Sequence, residues 1–124
     1  MGERSWLARR VRRLVADDAQ LDAEDLQAQV HHAGANEVRR CTKGEIVTVT
    51  GRIRSVVFRP KGSTPTLRAE LFDGSGTVTL VWLGRRRITG IEPGRQIVAT
   101  GRIADCGGVR TLFNPQYELK PVSA

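Results

Sequence analysis

Aromatic residues are scarce in this chain: Phe, Trp and Tyr together make up 5% of 124 residues. Binding that relies on stacked rings therefore has few rings to use. Cysteine occurs only at Cys41 and Cys106, with no C-x-x-C spacing, which excludes ribbon-type zinc sites and thioredoxin-like redox motifs. Both are expected to be free thiols in a reducing cytosol. The two histidines, His31 and His32, are adjacent. They point to different sides of a helix and have no third ligand at metal-binding spacing, so no metal is expected. There is no run of about 18 apolar residues that could span a membrane. The segment Met1-Gly2-Glu3-Arg4-Ser5-Trp6-Leu7 is charged and lacks the apolar centre of a signal peptide, so a cytoplasmic location is expected. No G-x-x-x-x-G-K-[ST] loop occurs, which excludes an ATP-driven motor, and there is no G-x-S-x-G or H-E-x-x-H. No catalytic residue and no cofactor is expected.

What the chain does have is positive charge, unevenly placed. Residues 1–41 hold seven Lys/Arg and seven Asp/Glu, whereas residues 42–124 hold thirteen Lys/Arg against six Asp/Glu. The whole net charge of +7 thus comes from the second segment. A basic compact module attracts polyanions at long range, and nucleic acid is the commonest of these in a cytoplasm.

The hydrophobic period divides the chain at the same place. Leu7, Val11, Leu14 and Val15 form one apolar stripe at helical spacing, with Arg9, Arg10, Arg12 and Arg13 around it. Asp22 looks like the N-cap of a second helix, with Leu21 and Leu26 as a hydrophobic staple, Leu26 and Val30 facing inward, and a stop at Gly34. From Glu45 the period is two. Val47, Val49, Gly51 and Ile53 share one face, and Thr48, Thr50, Arg52 and Arg54 the other. Further strands are expected at Thr66 to Phe72, Thr77 to Leu83, Gln96 to Ile103, and Val109 to Leu119. The last is broken or bent at Asn114-Pro115. Gly84 to Gly94 forms a connector long enough for a helical turn or two. The expected organisation is a helical arm over 1–41, a β-domain over 42–121 and a short tail over 122–124.

The tetrapeptide Thr-Gly-Arg-Ile occurs twice, at 50–53 and at 100–103. The flanking segments differ and the spacing leaves no room for a third copy, so a solenoid is excluded. Two strands with the same geometric task fit better, because a mid-strand glycine marks a bend or bulge and coiled strands close small barrels. Five strands, two of them bent, with a connector between the third and fourth, describe a mainly β, five-stranded OB-fold barrel with an N-terminal helical arm.

A family resemblance is carried by Val47-Thr48-Val49-Thr50-Gly51-Arg52-Ile53, by Leu71-Phe72-Asp73-Gly74-Ser75-Gly76-Thr77-Val78-Thr79-Leu80-Val81-Trp82, and by Glu92-Pro93-Gly94. Val98-Ala99-Thr100-Gly101-Arg102-Ile103 and Phe113-Asn114-Pro115-Gln116-Tyr117-Glu118 continue it. These segments resemble the OB-fold nucleic-acid-binding family, which includes anticodon-binding domains of some aminoacyl-tRNA synthetases. The nearest likeness is to the wedge domain of RecG-type helicases. The chain also resembles short stand-alone actinobacterial OB-fold proteins. The resemblance implies an OB fold and contact with DNA or RNA, without the helicase motor.

Non-specific single-strand binding needs cations for phosphates and ring faces for bases. The candidate cations are Arg52 and Arg54 on the first strand, Arg59 and Lys61 in the loop Phe58 to Pro65, and Arg68 on the second strand. Arg85, Arg86 and Arg87 follow the third strand, Arg102 lies on the fourth, and Arg110 opens the fifth. Phe72 shares parity with Arg68 and is the candidate ring. Trp82 shares parity with Val78 and Leu80 and reads as core. Phe113 and Tyr117 read as seals at the barrel end. A non-catalytic protein that binds single-stranded DNA or RNA with little sequence preference is the expected function. The alternative is a protein-interaction module that docks, through the helical arm or the barrel, onto a larger DNA-processing or membrane-associated complex.

Overall fold

The computed structural model describes residues 19–60, 62 and 64–121. The expected first helix with Arg9, Arg10, Arg12 and Arg13, Lys61, and the 122–124 tail lie outside them. The architecture is mainly β. Helix α1 is followed over residues 19–33, then a 3-10 turn at Val38–Arg40. Six strands come next: β1 (Ile46–Arg59), β2 (Thr66–Phe72), β3 (Thr77–Leu83), β4 (Gln96–Cys106), β5 (Val109–Phe113) and β6 (Gln116–Leu119). Among the described residues no helix is long and apolar enough to cross a membrane.

Five strands close a ring in the order β1-β2-β3-β5-β4 and back to β1, while β6 pairs with β4 outside that ring. All pairings are antiparallel except β3 with β5. The alternating apolar residues point into the ring: Val47, Val49, Ile53, Leu67, Ala69, Leu71, Val78, Leu80, Ile97, Ala99, Ile103 and Leu112 are all buried in one cluster. Ile88 and Ile91 of the β3–β4 connector are buried in the same cluster. That connector, long enough for a helical turn or two, is built from turns.

Both Thr-Gly-Arg-Ile copies lie where a strand changes partner. β1 pairs with β4 from Ile46 to Arg52 and with β2 from Arg52 to Arg59. β4 pairs with β6 from Ile97 to Thr100 and with β5 from Ile103 to Cys106. The two glycines are nevertheless unequal. A Cβ on Gly51 would overlap the Phe72 backbone carbonyl, whereas one on Gly101 would meet only Leu112 and Pro115 at ordinary contact distances of 3.5–3.7 Å. Arg54 is the extra residue of a bulge between Ile53 and Ser55. The bulge resets the alternation and carries β1 on to Arg59, so Phe58 and Arg59 are strand residues rather than loop residues.

The α-helical expectations need two corrections. Residue 22 lies inside α1 rather than at its start, so Asp22 is no cap. Leu21 is exposed, so there is no staple. Leu26 and Val30 are buried and the helix ends at Gly34, as the pattern predicts. Asp73 binds the helical segment to the ring. Its Oδ2 accepts from the Val38 N–H at 2.8 Å, and its Oδ1 accepts from the Ser75 N–H, the Ser75 hydroxyl and the Gly76 N–H. The turn it organises needs glycine at 74, where φ is +91 and a side chain would run into the Ala23 carbonyl of α1. Asn36 completes the attachment, exchanging hydrogen bonds of 2.8 and 2.9 Å with the Thr48 backbone.

The glycine contrast gives a direct test. Gly51→Ala forces a backbone shift at the ring closure and should cost about 1–3 kcal/mol, the usual range for overpacking. Gly101→Ala should lie within about 1 kcal/mol of the parent, because the added methyl fits and the unfolded chain loses freedom. Urea unfolding of both variants checks the order; equal losses would contradict it.

Candidate nucleic-acid interface

Register places several candidates on the outer face at one end of the ring. In one cross-strand row Val57 faces Arg68, Arg68 faces Val81, and Val81 faces Phe113. In the next row on the same face Arg59 faces Thr66 and Thr66 faces Leu83. Directly opposed residues share a face of a sheet, so two arginines stand among Val57, Leu83 and Phe113. Those three are 47%, 46% and 45% exposed. Arg85, Arg86 and Arg87 follow immediately and are exposed. Their segment is anchored on both sides. The Gly84 N–H donates to the Pro65 carbonyl at 2.7 Å, which holds the triplet against the β1–β2 loop, and the buried Ile88 fixes its far end. Among the described residues, none of Arg59, Arg68, Arg85, Arg86 and Arg87 forms an ion pair.

Phe113 stands in this face rather than sealing the ring. Asn114 explains why. It adopts a left-handed φ of 47, a conformation Asn tolerates better than most residues. Its N–H donates to the Val81 carbonyl, and its Oδ1 accepts from the Leu83 N–H at 2.9 Å. These bonds fix the strand break next to β3 and hold Phe113 beside Val81. Tyr117 lies on β6, 39% exposed, with its ring edge-to-face against Trp82 at 5.7 Å. Trp82 is core, and its indole N–H donates to the Pro115 carbonyl at 3.4 Å.

The remaining candidates lie elsewhere. Arg52 and Phe72 face each other at the far end of the β1–β2 pairing. Across a seven-residue strand rising about 3.3 Å per residue, that is about 20 Å from the Thr66 row. Arg52 is ion-paired with Asp22 of α1, and the Arg54 guanidinium lies over the Phe72 ring at 3.6 Å. Half-buried Phe72 therefore has one face occupied by a cation rather than open for a base. Thr50, on the expected solvent face, is buried, and its hydroxyl donates to the Ile97 carbonyl at 3.3 Å. Arg102 donates to the Gly44 carbonyl at 2.7 Å. Arg110 donates to the Cys41 and Arg39 carbonyls, each at 2.9 Å. The eleven proposed residues therefore do not form one groove. Five gather at one end, five lie outside that group, and Lys61 falls outside the described residues. Sequence reasoning read Phe113 as a seal, whereas it is half-exposed on this face, and did not single out the exposed Val57 and Leu83 beside it. The signal for Phe113 is its parity, opposite to that of buried Leu112.

Comparison with known proteins gives a likeness among solved structures. No protein-family model and no curated protein matches the chain. Among solved structures, the chain is similar to RecG in its structure bound to a three-way DNA junction, with a TM-score of 0.57 and 26% sequence identity. The likeness covers 68% of this chain and 12% of the RecG chain, so it concerns a small part of that protein.

The segment after α1 contains the most heavily engaged carboxylate. Glu37 is nearly buried and receives Arg39 Nε at 2.9 Å, His31 Nε2 at 3.0 Å and Arg40 Nε at 3.3 Å. The Arg39 hydrogen bond, against the opposing effect of desolvation, holds its pKa below the ordinary 4.5, aided by the charges of Arg39, Arg40 and His31. A carboxylate with a depressed folded-state pKa contributes stability that is present above the unfolded value and lost as pH falls through the folded one. Thermal midpoints should therefore fall below about pH 4.5. Glu37→Gln should lower the midpoint at pH 7 and flatten that acid limb, and an unchanged acid limb would contradict this reading.

Proposed function

We propose that this chain is a non-catalytic nucleic-acid-binding protein of the OB-fold type. In this reading it holds single-stranded DNA or RNA with little sequence preference on the outer face of β1, β2, β3 and β5. The observation that carries the ligand class is the likeness to RecG bound to a DNA junction, at 26% identity over 68% of this chain. The site is supported by the row of Arg59, Arg68 and the Arg85 to Arg87 triplet beside the exposed ring of Phe113. Guanidinium groups would take the phosphates, and Phe113, with Val57 and Leu83 around it, offers an apolar platform for unpaired bases. Among the described residues Phe113 is the one ring on that face, so affinity leans on phosphate contacts and falls steeply with salt.

Exposed Val57, Leu83 and Phe113 also suit a protein partner, which keeps the docking-module reading as the alternative. The helical arm supports that alternative less, because Leu26 and Val30 of α1 are already buried. Recovery from lysate of one stoichiometric protein that resists nuclease and high salt would favour it.

The direct test is fluorescence anisotropy of labelled single strands at rising salt. The parent should bind at low salt, with log affinity falling by about 0.7 per log salt for each phosphate held. Replacing Arg85, Arg86 and Arg87 together by Ala should reduce that slope by about 2. Phe113→Ala should cost about 1–3 kcal/mol with the slope unchanged, as loss of a stacking face does. No binding at low salt, or binding without a salt slope, would end this reading.

A further inference from the structure

A second basic surface lies away from the Phe113 face. Arg39, Arg40 and Lys43 are all exposed on the segment that joins the 3-10 turn to β1. Arg110 and Arg102 brace it from below, through the carbonyls of Arg39, Cys41 and Gly44. Hydrogen bonds to neutral carbonyls fix a guanidinium without cancelling its charge, so the bracing arginines still contribute to the local potential. Four carboxylates share the region and all are engaged. Glu37 is nearly buried and paired with Arg39 and Arg40, Asp73 is buried and accepts from the Val38 N–H, Glu45 accepts from the Thr42 N–H and hydroxyl, and Asp105 accepts from the Gly108 N–H at 2.7 Å. Five cations against four carboxylates leave a small positive excess, with Glu37 and Asp73 buried and Arg39, Arg40 and Lys43 at the surface of a braced ledge.

Its position matters as much as its charge. Arg102 faces Ile46, the first residue of β1, whereas Arg59 is the last residue of that strand. The Arg39 N–H reaches the Ser75 hydroxyl in the β2–β3 turn at 3.2 Å, at the opposite end of β2 from the Arg59–Thr66–Leu83 row. Between the two surfaces the outer face carries the exposed Glu70, in the row Ser55–Glu70–Thr79. An exposed carboxylate midway repels a continuous phosphate track, so the two surfaces suit two separate backbones better than one.

We infer that the ledge at residues 39–44, braced by Arg102 and Arg110, is a second phosphate-binding surface, so that one molecule holds two polynucleotide segments at once. This inference rests on the nucleic-acid reading above and adds strand bridging to it.

The test immobilises one single-stranded oligonucleotide, adds the protein, and measures capture of a second, labelled strand that is not complementary to the first. The parent should capture the second strand at low salt. The Arg40→Ala/Lys43→Ala double variant should capture about tenfold less while binding the immobilised strand within about twofold of the parent, since the contacts it loses are electrostatic and local. Lys43→Glu alone gives an independent check that leaves the Glu37 contacts intact, and should act in the same direction. Parent protein that binds the first strand without capturing the second overturns the bridging inference alone. Variants that still bridge fully overturn it too, because bridging would then come from association of protein copies. Absence of any binding to the first strand overturns the nucleic-acid reading and this inference with it.

Discussion

The structure depends on the approach of Gly51 to the Phe72 carbonyl. At this point β1 leaves β4 and begins to pair with β2, and a single strand thereby joins the two sides of the ring. Only a residue without a Cβ allows that approach. Three residues further along β1, the bulge at Arg54 adds the local twist that a closed sheet of few strands requires. The buried cluster from Val47 to Leu112 can form only inside a closed ring, so packing energy and closure depend on the same contact.

Closure also decides where the charges go. With the inner face filled by aliphatic side chains, every arginine on the strands is left outside or at the ends. Those near α1 and the 3-10 turn are drawn into contacts within the chain: Arg52 with Asp22, Arg54 over Phe72, Arg110 with two carbonyls. At the opposite end, Arg59, Arg68 and the triplet after β3 stand beside apolar side chains and a connector pinned by Ile88. The molecule thus has an end where the strand arginines hold the fold together, with Arg39, Arg40 and Lys43 exposed on the segment beside them, and an end where the strand arginines face outward. That asymmetry is the basis for placing a polyanion on the second.

Much of this was legible in the residues. The alternation of Leu67, Ala69 and Leu71, and of Val78, Leu80 and Trp82, gave β2 and β3 with their faces. The repeated Thr-Gly-Arg-Ile pointed to two strands that change direction. What failed to show in the sequence has a physical pattern. The alternation of β1 broke at Arg54 because a bulge resets parity, which hid the strand's last residues and with them the place of Arg59. Asp22 carried a local capping signature, but its partner Arg52 lies thirty residues away in sequence, and tertiary pairing prevailed. Phe113 was read, with Tyr117, as a seal at the barrel end. Its parity, opposite to that of Leu112, puts the ring on the outer face, and the non-local hydrogen bonds of Asn114 to β3 hold it there.

The measurement that bears most directly on the account is residue-resolved amide chemical-shift mapping of the intact chain titrated with a short single-stranded oligonucleotide at low salt. The account predicts that the largest shifts fall on Val57, Arg59, Arg68, Leu83 to Arg87 and Phe113, and that they fade as salt is added. Shifts confined to α1 and β6, with the Phe113 face silent, would contradict it.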